Sequence, residues 1–327
     1  MSRAYTLPIS RTRTSIGAIF GTETNDVYLE KLCNITKSLE GQQDCSTDEM
    51  FISIEWDSFD NHLSILLNTA YDVELNEVSV NSGNQMFEKR VSEMFLDELL
   101  RTITSAMHTN LEIKLFHSHD LSIAAKIDDR SSLHTRWAVD SSILSIAEAD
   151  NADDLTTLRQ KIVNALGISA SLVSVESARA VKVIAHAIGK RAARLAGMTL
   201  RAIVLKSKRL IDSRDWSWNE RYMSANVEDI VNNVSTITTE FKSANTLQES
   251  NFFNVLDDHA IIDIEVDGSL IEFYPGFETY MREALRAVEG IDSVGEKRIR
   301  IGIAKDESSV DAAIIALLAA QRASIAL

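Results

Sequence analysis

Glycine is scarce in this chain, at twelve in 327 residues, about half the usual share of roughly 7%. A backbone without glycine cannot come close to a phosphate group, so each glycine that remains is worth locating. Proline numbers two and cysteine two, at Cys33 and Cys45. So few cysteines exclude a disulfide-stapled secreted scaffold and point to a reducing compartment, the cytoplasm. The final apolar run, AAIIALLAAQRASIAL, is interrupted by Gln321 and Arg322. It reads as a buried core helix rather than a membrane span. The opening MSRAYTLPISRTRTS has no apolar centre and is not expected to be a signal peptide. Positive charge is in deficit: 33 Lys and Arg stand against 48 Asp and Glu, a net charge of -15. That balance argues against nucleic acid and anionic membranes as general partners.

What is present is ordinary for a globular protein: 45% hydrophobic and 25% charged residues, in a chain long enough for two domains or one large α/β lobe. The stretch IFGTETNDVY (19–28) ends one apolar run at Gly21-Thr22 and restarts another after Asn25-Asp26, which predicts a β-hairpin. Turns of this kind hold phosphate on their backbone N–H groups, yet this one carries a carboxylate, Glu23, at its tip. The runs 14–21 and 27–35 are the expected paired strands, and MFISIEW (50–56) a third.

Apolar residues at Phe87, Val91, Phe95, Leu99 and Ile103 predict one helix from Asn84 to about Asn110. Asp140 and Asp153 or Asp154 are expected caps of two more. Residues 171–198 predict a long buried helix. The stretch 206–258 is polar, aperiodic and holds Trp216, Trp218 and Tyr222. It reads as an inserted or partly ordered segment, its aromatics either partner anchors or buried packing. Strands are expected at 260–266, 270–274 and 298–304, with a helix from Gly276 closed by Gly290 and a last helix after Ser308. Three strands, then helices, then strand–turn–strand, helix, strand and helix match one lobe of an actin-like (ribonuclease-H-like) ATPase fold.

Some apparent motifs carry no chemistry. His117-Ser118-His119 lacks further ligands for a metal set. Gly189-Lys190 lacks the upstream glycine of a P-loop, and Arg191 replaces its hydroxyl residue. A spaced polar set remains: Gly21-Thr22 with Asn25, Glu55 ending a strand, Glu88, and Asp267-Gly268-Ser269. Carboxylates and amides of this kind suit a polyol, whose hydroxyls donate to them.

Here the sequence resembles the hexokinase family, specifically the large-lobe region of a fungal-type hexokinase, over roughly 5–200 and 260–325. GAIFGTETNDVYLE is similar to the family segment G-x-I-x-G-T-G-x-N-x-x-Y-x-E. ISIEWDSFDN resembles its N-x-E-W/Y-G-x-F block, GKRAARLAGM its G-x-R-A-A-R-L-A helix, and VDGSLIEFYPGF its V-D-G-S-x-Y-x-x-x-P-x-F turn. The segment YDVELNEVSVNSGNQMFEKRVSEMFLDELLR is similar to the family's long stretch around G-x-Q-x-F-E-K. AKDESSVDAAIIA stands where the family has D-G-S-G-x-G-A-A.

The resemblance implies that Asn25, Glu55 and Glu88 contact glucose and that Gly21 and Thr22 face the ATP phosphates. It implies that Gly268 and Ser269 lie beside the adenosine and, on a looser alignment, that Ser141 and Ser145 lie near the nucleotide. ATP with Mg²⁺ is the cofactor it implies. The family's first phosphate loop, small lobe and catalytic Asn-Asp pair have no counterpart in these residues, so no catalytic base is assigned.

Within the matched motifs acids replace glycines: Glu23, Asp57, Glu93, Asp97, Glu307 and Asp311. A carboxylate about 5 Å from a phosphate charge, at an effective dielectric near 20, costs about 3 kcal/mol before screening. The expectation is a cytoplasmic hexokinase-family lobe (residues 1–327, with 206–258 inserted) that keeps a partial glucose site, binds ATP poorly and serves a regulatory role. The alternatives are a fragment of an active glucose-phosphorylating enzyme, which would have kept its phosphate turns, and a protein-interaction module without ligand.

Overall fold

The computed structural model describes residues 16–35, 49–110, 112–113, 115–117, 127–140, 142–207, 210, 261–287, 291 and 293–303. Their framework is a mixed five-stranded sheet of β1 (Ile16–Phe20), β2 (Thr24–Lys31), β3 (Glu49–Ser53), β4 (Ile262–Asp267) and β5 (Ile299–Ile303). The spatial order is β3-β2-β1-β4-β5. The first three strands pair antiparallel, whereas β4 joins β1, and β5 joins β4, in parallel. The register sets Ile19 opposite both Asn25 and Asp267. The ends of β1, β2 and β4 therefore meet at the middle of one end of the sheet.

The helices are α1 (Ala70–Val78), α2 (Glu88–Val91), α3 (Glu93–Thr109), α4 (Ser142–Ala149), α5 (Thr156–Leu166), α6 (Val175–Lys206), α7 (Ser269–Phe273), α8 (Phe277–Arg286) and α9 (Ser293–Lys297). Reciprocal caps start α1: Thr69 Oγ1 accepts from the Asp72 N–H at 3.2 Å, and Asp72 Oδ2 accepts from the Thr69 N–H at 2.9 Å. The long helix α6 is buried along its small-residue face, through Ala185, Ala192, Ala193 and Ala196. Close approach is the reason for that composition. A Cβ on Gly189 would fall 2.2 Å from the Tyr274 ring, and one on Gly197 would fall 2.3 Å from the Met281 carbonyl.

Several sequence expectations are corrected. Strand β2 starts at Thr24, so Asn25 and Asp26 lie within it and the turn is only Gly21-Thr22-Glu23. Strand β3 ends at Ser53, leaving Ile54 and Glu55 beyond it. The single helix expected over 84–110 is broken at Ser92, whose ψ of 136° is extended. Residues 270–273 belong to helix α7 rather than to a strand, with Tyr274 its extended C-cap; Gly268, at φ 113°, turns the chain directly from β4 into it. Helix α5 is capped at Leu155 rather than at Asp153 or Asp154, although Asp154 still accepts from the Thr156 N–H.

Helix α6 runs eight residues past the expected end, to Lys206. Helix α8 ends at Arg286, while Gly290 lies outside the described residues. So do Cys45, Ser118, His119, Ser141, Glu307, Asp311, the expected last helix and nearly all of the polar segment 206–258.

Candidate functional site

A column of buried aromatics starts from Phe20, at this end of β1. Phe20 lies 6.0 Å from Phe277 and stacks on Trp56 at 5.8 Å; Trp56 lies 5.8 Å from Phe87. Three of the four are next in sequence to a residue of the predicted site: Phe20 precedes Gly21, Trp56 follows Glu55, and Phe87 precedes Glu88. Burial of these rings fixes their backbones, and so fixes where the polar neighbours emerge. The Trp56 indole also donates to Thr24 Oγ1 at 3.0 Å, joining the column to the start of β2.

On the β2 side the structure brings Asn25 and Glu55 together. Asn25 Nδ2 donates to Glu55 Oε1 at 3.2 Å and to Ser53 Oγ at 3.1 Å, while its Oδ1 accepts from the Glu55 N–H at 3.0 Å. Ser53 Oγ donates to Glu55 Oε1 at 2.6 Å. Ser53 was missed by the sequence reading, although its spacing of two from Glu55 in an extended run is the signal that would have found it. Glu55 itself sits in the left-handed region at φ 52°, a conformation that costs a non-glycine residue on the order of 1 kcal/mol. Buried Trp56 and the bonds from Asn25 hold it there, with its side chain exposed.

Glu88 completes this face from helix α2. It is 5% exposed and receives the Thr24 N–H, one residue from Asn25. Burial, then the charges of Asp57 and Glu23, push its carboxyl up to about 7. The neighbouring charges Lys89 and Arg90 are structural anchors. Lys89 Nζ donates to Asn76 Oδ1 and the Asn81 carbonyl, and burial lowers it to about 8. The Arg90 guanidinium donates to the Leu67 and Met86 carbonyls and to Asn68 Oδ1. Asp26, on β2, is also buried, and neither of its carboxyl oxygens has a hydrogen-bond partner; burial pushes it well above the usual carboxylate range.

On the β4 side, Gly21 and Gly268 touch. A Cβ on Gly21 would lie 3.3 Å from Gly268 Cα, and one on Gly268 would lie 2.4 Å from the Phe20 carbonyl. Ser92 and Glu93, at the break before α3, lock onto this pair. The Glu93 N–H donates to the Gly21 carbonyl at 2.9 Å, and Ser92 Oγ to the Thr22 carbonyl. Ser269 Oγ donates to Glu93 Oε2. Ser92 and Glu93 were not expected as contacts here, because the predicted helix ran straight through them.

One turn further along α3, Asp97 is buried and pushed up to about 8 by burial, then by Glu93 and Asp140. Asp140, before α4, is held down to about 2, first by the hydrogen bond from Lys161 at 2.7 Å. Ser145 lies on α4 one turn before Glu148, which accepts from the Tyr274 and Tyr280 hydroxyls and contacts His186 Nδ1. That clamp ties α4 to α6, α7 and α8. Among the described residues, Ser145 forms no hydrogen bond to the Gly268 turn.

Among the described residues no group of three or more His, Cys, Asp or Glu side chains is arranged to hold a metal ion. No described helix is long and apolar enough to cross a membrane. An apolar groove of about 550 Å³, lined among others by Tyr28, Phe59, Leu67, Arg191 and Met198, contains none of the predicted site residues.

A family profile described as Hexokinase matches residues 15–318 of the chain. The chain is 41% identical to a glucokinase of Aspergillus niger over 324 residues, 98% of this chain and 55% of that protein. It is 32% identical to Glucokinase-1 of Saccharomyces cerevisiae over 332 residues, again 98% of this chain and 55% of that protein. The chain thus spans about half the length of these relatives. Among solved structures, a hexokinase from Schistosoma mansoni complexed with glucose superposes with a TM-score of 0.60 at 21% identity, covering 89% of this chain and 49% of that one. The fold is that of the actin-like ATPases, a mixed sheet flanked by helices.

Proposed function

The chain belongs to the hexokinase family, and from that premise we propose that it binds a hexose through Asn25, Glu55 and Glu88 while its nucleotide side is impaired. The observation that carries the sugar half is the bonded set Asn25, Ser53 and Glu55, held beside Glu88. Sugar hydroxyls donate, and carboxylates are strong acceptors for them. Glu55 is exposed and already oriented, so little side-chain entropy remains to be lost on binding.

The nucleotide half rests on donor accounting. A phosphate needs N–H and O–H donors, and several of those at the two turns are occupied internally. The Gly21 N–H donates to the Glu23 carbonyl, the Gly268 N–H to Asp267 Oδ1, Ser92 Oγ to Thr22 and Ser269 Oγ to Glu93. These occupied donors, with the Glu93 carboxylate among them, count against a triphosphate at this face, and no transfer step is assigned to it.

On this reading residues 1–327 form one large lobe, with 206–258 an insertion, and its role is sugar-dependent and regulatory rather than catalytic. The second reading, a lobe of an ATP:glucose phosphotransferase, is favoured by the 41% identity to a glucokinase. Glucose titration with a melting readout tests the first: a rise in Tm that Glu55→Ala abolishes is expected. No shift at about 100 times a millimolar Kd, where a rise of about 2.7 kcal/mol is due, sinks the hexose site. Glucose-dependent ATP consumption by the chain replaces the first reading with the second.

A further inference from the structure

We propose that Glu93 is an internal occupant of the phosphate cradle, and that its charge decides whether nucleotide enters. The inference rests on reading the Gly21 and Gly268 turns as the nucleotide face. Glu93 is the first residue of α3, and its two polar ends grip different turns: its N–H holds the Gly21 carbonyl and its carboxylate takes the Ser269 hydroxyl.

The two turns are themselves in contact through Gly21 and Gly268, so the carboxylate lies where these turns and the head of a 17-residue helix converge. The head of a helix favours negative charge, through its free N–H groups and its dipole. Here the chain supplies that charge itself. An incoming phosphate would compete with Glu93 for the Ser269 hydroxyl and would meet its charge at contact range. Buried Asp97, one turn behind, adds a second carboxyl to the same side of α3.

Glu93 differs in this respect from Glu23. Glu23 is exposed, its carboxylate is free to point into water, and its presence need not exclude a ligand. Glu93 is half-buried and bonded across the gap.

The test compares the affinity of Mg-ATP, and of inorganic tripolyphosphate, for the native chain and for Glu93→Gln at fixed ionic strength. Glutamine keeps the shape and can still accept from Ser269, so the comparison isolates charge. Binding at least tenfold tighter to Glu93→Gln, for both probes, is expected, with Glu93→Asp no tighter than the native chain. Equal affinity for native and Gln variants, including no binding by either, overturns the proposal, as does an equal gain from Glu93→Asp. Should Glu93→Gln fail to fold, Glu93→Ser serves the same comparison, since serine is well tolerated at a helix start. The hexose reading fails independently, by loss of the glucose-dependent Tm shift, and that outcome leaves the Glu93 comparison intact.

Discussion

The turn 21–23 has a different neighbour at each end, and the two sides treat acidic residues in opposite ways. Beyond Thr24, Asn25 and Glu55 present acceptors, so carboxylates there are useful to a ligand whose edge is all hydroxyls. Before it, Gly21 meets Gly268 and Ser269, and the carboxylate of Glu93 uses up a donor that an anionic ligand would need. On the proposed reading, the same residue type serves one side and obstructs the other. What separates them is the direction of hydrogen bonding that the ligand requires.

The sharpest way to break this contrast is Gly268→Ala. Its φ of 113° lies in a region essentially reserved for glycine, and its Cβ would fall 2.4 Å from a backbone carbonyl. A loss of about 3 kcal/mol or more in urea unfolding is expected, whereas Gly21→Ala, whose nearest contact would be 3.3 Å, should lose no more than about 1 kcal/mol. Equal losses would mean the two turns are not the tight pair described.

Next comes the sugar side: Glu55→Ala and Glu88→Gln should each weaken glucose binding by roughly ten- to a hundredfold, as expected for a lost bond to a charged acceptor. Because Glu88 is pushed up to about 7, it is half protonated near neutrality. Glucose affinity should therefore rise from pH 6 to pH 8 in a calorimetric titration, and that slope should vanish in Glu88→Gln.

Asp97 offers a smaller and differently signed effect. Its folded value near 8 is raised above the unfolded carboxylate value of 3.8, so the folded state binds the extra proton. Its contribution to stability is present at low pH and is lost as pH climbs from about 4 to 8. Asp97→Asn should grow steadily more stable than the native chain over that window, by about 1–2 kcal/mol at pH 8, in melts at matched pH. At the small end, Arg194→Ala removes a half-exposed ion pair with Glu283 at 3.6 Å. It should change stability by no more than ~0.5 kcal/mol and leave both ligand assays unmoved.

The sheet was legible in the sequence because β1, β3, β4 and β5 are short apolar runs bounded by polar residues, and a hairpin turn at Gly21 is marked by composition. The break at Ser92 was not. Val91 and Phe95 keep the helical spacing of four across it, and the interruption comes from a tertiary contact, Ser92 to Thr22, seventy residues away. Residues 270–274 looked like a strand because LIEFY is rich in strand-favouring side chains and too short to show a helical period.

Of the candidate site, Asn25 and Glu55 emerged as an interacting pair, with Glu88 next to Thr24. Gly21, Gly268 and Ser269 emerged as touching turns. Ser53 could have been found from its spacing of two from Glu55, whereas Glu93 was not legible as a contact, because it acts across the gap between two segments.

The aromatic column of Phe277, Phe20, Trp56 and Phe87 has a bearing on how such a lobe can change over generations. Three of these rings, Phe20, Trp56 and Phe87, are adjacent in sequence to side chains proposed to meet ligands, yet separate from them in role. Mutations at 23, 57 or 93 can therefore accumulate without touching the rings, and selection for a folded lobe would not remove them. The same separation makes the drift reversible in principle: an unchanged frame stands ready to display a different set of polar tips after a few single-residue changes.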